Sequence, residues 1–224
     1  MRPFEEDLKQ LNDLLQEMGV VVARSIQRSV LSLVEKDEDY AHQVIRDESR
    51  VDQMEIQVDE MATSLIVRDQ PVARDMRLIV SAIKISTDLE RMGDLAVHIA
   101  ERSLSLMTQP QLPEHISFEE LSSLVESMVL RGLECFVKRD PAIARGVLET
   151  DNSVDKARNA IQRQLIDLMK RDTASIPRAL DTIIIARKLE RIADHATNIA
   201  EDVIFLTQGI DVRHRNLEVP EAVA

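Results

Sequence analysis

Apolar residues recur at helical spacing along almost the whole chain, and the breaks between these runs predict six helices. The first helix is predicted over about residues 4–35, and the second, after the acidic break near Asp37, ends at about residue 67. The other four are predicted over about residues 71–107, 117–138, 141–171 and 177–209. Their apolar stripes are typical of helices that bury one face.

The breaks carry the residues that begin and end helices. Ser117 with Glu120 predicts a capping box, and Asp140 followed by Pro141 predicts a capped start for the fifth helix. The stretch 108–117 has two prolines and no periodicity. We therefore predict a first domain over 1–108, a linker over 109–116, a second domain over 117–209 and a loose tail over 210–224.

The two predicted domains repeat each other. Residues 89–101 read LERMGDLAVHIAE and residues 189–201 read LERIADHATNIAE, with eight of thirteen positions identical. A second match lies upstream at an offset of 103, where Asp37, Val44 and Val51 correspond to Asp140, Val147 and Val154. A period near 100 residues is too long for a solenoid repeat and indicates duplication of a whole domain.

Composition agrees with helix-on-helix packing. Aromatic residues make up 2% of the chain, and glycine and proline are few, whereas sheets need aromatic and β-branched residues and frequent turns. The fold class predicted is all-α, with two tandem antiparallel three-helix bundles.

Charge and cysteine content indicate which classes of partner and which cellular compartment the protein favours. The formal charge of −12 disfavours binding to nucleic acid or anionic lipid. A single cysteine excludes an internal disulfide and a thiolate zinc cluster, as expected in a reducing compartment. The N-terminus lacks the apolar run of a signal peptide, and no apolar stretch is long enough to span a membrane. We expect a cytoplasmic protein without membrane insertion.

Acidic residues recur in pairs four positions apart, which places each pair on one helix face, one turn apart. Such carboxylates on neighbouring helices suit hard cations, and manganese or iron accepts them as well. The other interpretation is an ordinary solvated acidic face, and the spacing leaves both open. The candidate metal ligands are Glu48, Asp52, Glu90, Asp94, Asp151, Asp155, Glu190 and Asp194.

The residues next to these acids differ between the halves. Arg91 and Arg191 are expected to form salt bridges between helices. His98 is matched by an asparagine, which favours a surface position over a role as a metal ligand. His195 is matched by a leucine, which disfavours a duplicated site that needs imidazole. In the fifth helix Arg158 stands where the second has Glu55, so the second acidic stripe is thinner.

Known catalytic patterns are missing from the sequence. It contains no glycine-rich phosphate loop, no G-x-S-x-G, no H-E-x-x-H and no Glu-x-x-His of the carboxylate-bridged di-iron enzymes. We therefore expect a protein that is not an enzyme.

The repeated LERMGDLAVHIAE and LERIADHATNIAE, with RDQPVARDMRLIVSAIK and DPAIARGVLETDNSVD, closely resemble the PhoU family over about residues 4–208. The resemblance implies two three-helix bundles, often in a dimer. It also implies a regulator that links a phosphate-importing ABC transporter to a sensor histidine kinase and represses both when phosphate is plentiful. Family metal-cluster motifs would map onto the four acidic pairs, as divalent metal or iron clusters.

Three functions follow as hypotheses. The first is a phosphate-signalling adaptor without catalysis, which binds the transporter ATPase subunit and the kinase. The second is a carboxylate-bound multinuclear metal protein for metal storage, sensing or hydrolysis. The third is a purely structural helical scaffold.

Overall fold

The structure is a computed structural model that describes residues 3–210 and 212. It contains six long helices and one short 3₁₀ turn, and no strand occurs within the described residues. The helices are α1 (Pro3–Glu35), α2 (Glu38–Asp69), α3 (Ala73–Met107), α4 (Glu119–Lys138), α5 (Pro141–Arg171) and α6 (Ile176–Gln208), with the 3₁₀ turn at Thr173–Ser175 before α6. The prediction of an all-α fold with six helices is confirmed.

Most helix ends follow the local sequence. Asp37 and Asp140 cap α2 and α5, each accepting a hydrogen bond of 2.8 Å from the backbone N–H two residues on. At the end of α6, Gly209 adopts φ +68°, the left-handed conformation that glycine enters without steric cost.

Two helix starts differ from the prediction. Helix α3 begins at Ala73 instead of residue 71, because Val72 is the N-cap and keeps an extended backbone. Helix α4 begins at Glu119 after Phe118, which makes no side-chain cap. Ser117 accepts a hydrogen bond from the Glu119 N–H at 3.3 Å, so the predicted capping box with Glu120 is not formed.

The helices form two groups of three. Helices α1, α2 and α3 contact one another, as do α4, α5 and α6, while α3 packs on α6 and α1 on α4 between the groups. Lys84 in the first half of α3 pairs with Asp202 near the end of α6. Arg102 near the end of α3 pairs with Asp181 near the start of α6. Helices α3 and α6 therefore run antiparallel.

One apolar core runs through both groups. It is built from leucine, isoleucine, valine, methionine and alanine, as the low aromatic content requires. Its largest fully buried side chains are Leu11, Leu15, Met18, Leu65, Ile79, Ile85, Leu89, Met92, Ile99, Leu121, Met128 and Leu165. The four acidic pairs lie on α2, α3, α5 and α6, one pair on each helix.

None of the helices within the described residues combines the length and the apolar character that crossing a membrane needs. Of the tail predicted to be loose over 210–224, only residues 210 and 212 are described, and Val212 packs against the core. The rest of that prediction lies outside the described residues.

Candidate metal centre

Helices α2 and α3 bring three of the candidate ligands together. One carboxylate oxygen from each of Asp52, Glu90 and Asp94 lies within 4.8 Å of the other two. Asp52 is exposed, while Glu90 and Asp94 are half-buried. The i, i+4 spacing on α3 sets Glu90 and Asp94 on one face, and α2 supplies Asp52 from the neighbouring helix. The first-half carboxylate cluster means these three residues together with Glu48 and Glu55.

Burial and mutual repulsion raise the pKa values of carboxylates in this cluster. Burial raises the pKa of Glu90 to about 7, with further contributions from Asp94, Glu55 and Asp52. The pKa of Glu48 is raised by burial and by Asp52 and Asp94. Within the described residues, no lysine or arginine lies at ion-pair distance from any of the five carboxylates. Within the part of the chain that the structure describes, no lysine or arginine ion pair therefore neutralises the negative charge of this cluster.

These donors fit a hard divalent cation. The groups that face one another are carboxylates, the oxygen ligands that magnesium, calcium and manganese prefer. Glu55 was not among the predicted ligands, although it continues the acidic stripe on α2. It contributes to the raised pKa of Glu90 and accepts a hydrogen bond from Thr87 Oγ1 at 3.1 Å. His98 is exposed, and its charge acts to lower the pKa of Glu48.

The second-half carboxylate cluster comprises Asp151 and Asp155 on α5 with Glu190 and Asp194 on α6. Burial raises the pKa of Asp151, with contributions from Asp155 and Glu190. Burial also raises the pKa of Asp194, with contributions from Glu190 and Asp151. The four predicted ligands of this half therefore feel one another's charge.

A cation of the chain lies in this second cluster. Arg158 Nη2 donates to Glu190 Oε1 at 2.5 Å and to Asp155 Oδ1 at 3.3 Å. Asp155, Glu190 and Asp194 are not grouped as closely as their first-half counterparts, since the described residues contain one such group of carboxylates. The predicted ligands of the two halves thus have different surroundings.

A buried polar contact also joins the halves, beside Asp194 of the second-half carboxylate cluster. His195 Nδ1 lies 2.7 Å from Asp88 Oδ1, and Asn198 donates to the same oxygen at 3.1 Å. His195 is 8% exposed, a burial that comparing the two halves of the sequence did not predict. Its position three residues after Ile192 and four before Ile199, both buried, was the signal in the sequence.

The salt bridges expected for Arg91 and Arg191 are not formed. Both side chains are exposed, and neither lies within 4.0 Å of a carboxylate in the part of the chain that the structure describes. The ion pairs between α3 and α6 use Arg102 and Lys84 instead, because those residues lie on the faces that meet.

Comparison with known proteins decides the family. A sequence model described as the PhoU domain matches the chain twice, over residues 15–103 and 118–203. The chain belongs to the PhoU family. The two PhoU domains correspond to the two groups of three helices, each matching from its first helix into its last. The predicted duplication is therefore a duplication of the PhoU domain.

Similar proteins carry the same family name. The phosphate-specific transport system accessory protein PhoU homolog of a Burkholderia species is 38% identical over 214 residues, covering 94% of this chain and 91% of that protein. The homolog of that name from Pseudomonas aeruginosa is 37% identical, covering 96% of this chain and 89% of that protein.

Two solved PhoU structures share the fold. The crystal structure of PhoU from Pseudomonas aeruginosa has a TM-score of 0.90 at 36% identity, covering 92% of this chain and all of that one. The phosphate transport system regulatory protein PhoU from Streptococcus pneumoniae has a TM-score of 0.86 at 28% identity, covering 93% and 99%.

Proposed function

We propose that this PhoU-family protein regulates phosphate uptake and phosphate-starvation signalling from the cytoplasm. It would act without catalysis, as an adaptor between the ATPase subunit of a phosphate ABC transporter and a sensor histidine kinase, and repress both when phosphate is plentiful. The observation that carries the proposal is the double PhoU match, together with relatives that are named accessory proteins of the phosphate-specific transport system.

The long helices and the acidic surface of the protein support an adaptor role. Helices α1, α2, α3, α5 and α6, which have 31 to 35 residues each, offer long continuous faces around a single apolar core. Interfaces of stable complexes cover about 800 Å² on each partner, which faces of this length can supply. A net charge of −12 favours basic surfaces on those partners.

The test has a cellular and a biochemical arm. In a strain that lacks the gene, we expect a phosphate-starvation reporter to be active at high phosphate and to be repressed again by the full chain. In a pull-down at high phosphate, we expect the chain to retain the ATPase subunit and the kinase. Retention of neither partner would overturn the adaptor.

Two variants separate the adaptor from a passive scaffold. Leu89 is fully buried, and its replacement by alanine should lower stability by about 2–5 kcal/mol and weaken repression by lowering the amount of folded protein. The variant Glu90→Gln/Asp94→Asn keeps the core and changes only the acidic face. Loss of repression with Leu89→Ala alone would favour the scaffold.

We also propose that the chain forms a homodimer. The support is the resemblance to a family in which dimers are common. Light scattering behind size-exclusion chromatography should give twice the chain mass of 25.4 kDa. A mass that stays at one chain across the concentration range would contradict the dimer.

A second candidate function is metal binding for storage, sensing or hydrolysis, favoured by the first-half carboxylate cluster. Asp52, Glu90 and Asp94 would hold the ion, with Glu48 and Glu55 beside them. A bound divalent cation would supply the positive charge that this cluster lacks. The ion would also link α2 to α3, because the ligands come from both helices.

Elemental analysis of tag-free protein after gentle dialysis tests this candidate. Metal should be retained by the wild type and lost in Glu90→Gln/Asp94→Asn. The matched control is Glu149→Gln, an exposed carboxylate on α5 that should leave the metal content unchanged. Retention of repression by the variant that has lost its metal would separate metal binding from phosphate signalling. A wild type without metal would overturn the candidate.

A further inference from the structure

We propose that Arg158 is the built-in cation of the second-half carboxylate cluster, so that divalent metal binds in the first half of the chain only. The inference rests on metal binding, the second candidate function above. It concerns which half of the duplicated chain can take an ion and which residue decides this.

The repeat defines which residues correspond. At an offset of 103, Asp52 and Glu55 on α2 correspond to Asp155 and Arg158 on α5. At an offset of 100, Glu90 and Asp94 on α3 correspond to Glu190 and Asp194 on α6. The Asp52, Glu90 and Asp94 group therefore has a second-half counterpart in Asp155, Glu190 and Asp194.

Arg158 binds two members of that counterpart group. Its Nη2 lies 2.5 Å from Glu190 Oε1 and 3.3 Å from Asp155 Oδ1. A metal ion would need these carboxylates as ligands, so the guanidinium and the ion compete for them. Arginine carries a permanent positive charge in proteins, so its guanidinium also repels an incoming cation.

Neighbouring side chains hold the guanidinium in place. Its Nη1 donates to Asn159 Oδ1 at 2.7 Å and lies 3.5 Å from Gln162 Oε1. The Arg158 and Glu190 side chains are 20% and 21% exposed, so solvent weakens their pairing only in part. In the first half the same place on α2 belongs to Glu55, a fifth carboxylate.

Equilibrium dialysis of the full chain with Mn²⁺ tests the proposal, because Mn²⁺ accepts carboxylate ligands and is counted by electron paramagnetic resonance. We expect Glu90→Gln/Asp94→Asn to remove the bound Mn²⁺. The matched variant Glu190→Gln/Asp194→Asn should leave the amount bound per chain unchanged. Circular dichroism confirms that each variant is folded.

A gain of binding provides the second arm. Placed in the Glu90→Gln/Asp94→Asn background, Arg158→Glu should restore Mn²⁺ binding, because the second half then carries the carboxylate that the first half has at Glu55. Arg158→Met, which removes the charge without adding a ligand, serves if the glutamate variant does not fold. Failure of the folded Arg158 variants to bind Mn²⁺ would overturn the role of Arg158.

The outcomes separate this inference from the metal candidate. Equal loss of Mn²⁺ in the first-half and second-half variants would overturn the inference and leave metal binding in place. Loss in the second-half variant alone would also overturn it. A wild type that binds no Mn²⁺ would overturn both.

Discussion

His195 Nδ1 lies 2.7 Å from Asp88 Oδ1, across the contact between the two halves of the chain. Each residue is 8% exposed, so water would replace a lost partner only poorly. Neither residue is repeated, since residue 188 is a lysine and residue 95 a leucine. The contact is thus specific to the association of α3 with α6.

Replacement of His195 by leucine should destabilise the protein. Leucine is the residue at the corresponding position 95 and fits a helix, but it leaves Asp88 with Asn198 as its one remaining partner. A buried acceptor that loses a hydrogen bond costs about 1–3 kcal/mol. Chemical denaturation should show a loss of this size.

The controls are His98→Leu and Asp88→Leu/His195→Leu. His98 is exposed on α3, so the same substitution there should change stability little. The double variant removes both partners, so its loss of unfolding free energy should be smaller than the sum of the losses in His195→Leu and in Asp88→Leu measured singly. Additive losses would contradict an interaction between Asp88 and His195.

Removal of Arg158 should destabilise the metal-free protein. Arg158→Met preserves the length of the side chain but leaves Glu190 and Asp155 without their cation, beside Asp151 and Asp194, whose pKa values are already raised. Hydrogen bonds to charged groups contribute about 1.5–3 kcal/mol to the free energy of unfolding. Because the Arg158 and Glu190 side chains are partly exposed, we expect a loss near the lower end of this range.

The matched control for Arg158 is Arg191→Met. Arg191 is exposed on α6 and makes no ion pair with the described residues, so its loss should be close to neutral. Equal melting temperatures for the two variants in chelating buffer would show that Arg158 does not compensate the second-half carboxylate cluster.

The helices were predictable because their signals are local. Periodic apolar residues placed all six, and Asp140 with Pro141 located the start of α5. The fold class and the duplication followed from the same pattern. Helix starts at residues 73 and 119 were missed because backbone conformation at Val72 and Phe118 decides them, and residue type does not fix that conformation.

Contacts between distant residues were harder to predict. The four i, i+4 pairs identified acidic faces, but the sequence does not show that α2 brings Asp52 to Glu90 while α5 brings Arg158 to Glu190. The burial of His195 depends on the packing of α3 against α6. The periodicity of α6 shows that this helix has an apolar face, but it does not show which helix covers that face.

Cys135 should be unreactive in the folded protein. Burial raises the pKa of its thiol from 9.0 to about 12, and the side chain is 0% exposed. The thiolate is the reactive form, and at pH 8 a thiol with a pKa of about 12 has about 1,000 times less thiolate than one with a pKa of 9.0. Alkylation should therefore be about 1,000 times slower in the folded protein than in the unfolded chain. Mass spectrometry after iodoacetamide treatment, with and without denaturant, measures this; rapid alkylation without denaturant would contradict the burial.

Glu90 should make the stability of the metal-free protein depend on pH. Its folded pKa of about 7 lies above the ordinary 4.5, so its favourable contribution is complete below pH 4.5 and is lost as the pH rises to about 7. In chelating buffer, Glu90→Gln should therefore raise stability at pH 8 by about 1–2 kcal/mol, allowing for its partial exposure, and change it little at pH 4.5. Glu149→Gln, on the exposed face of α5, is the control. A Glu90→Gln effect that is the same at both pH values would show that Glu90 is not the group that titrates.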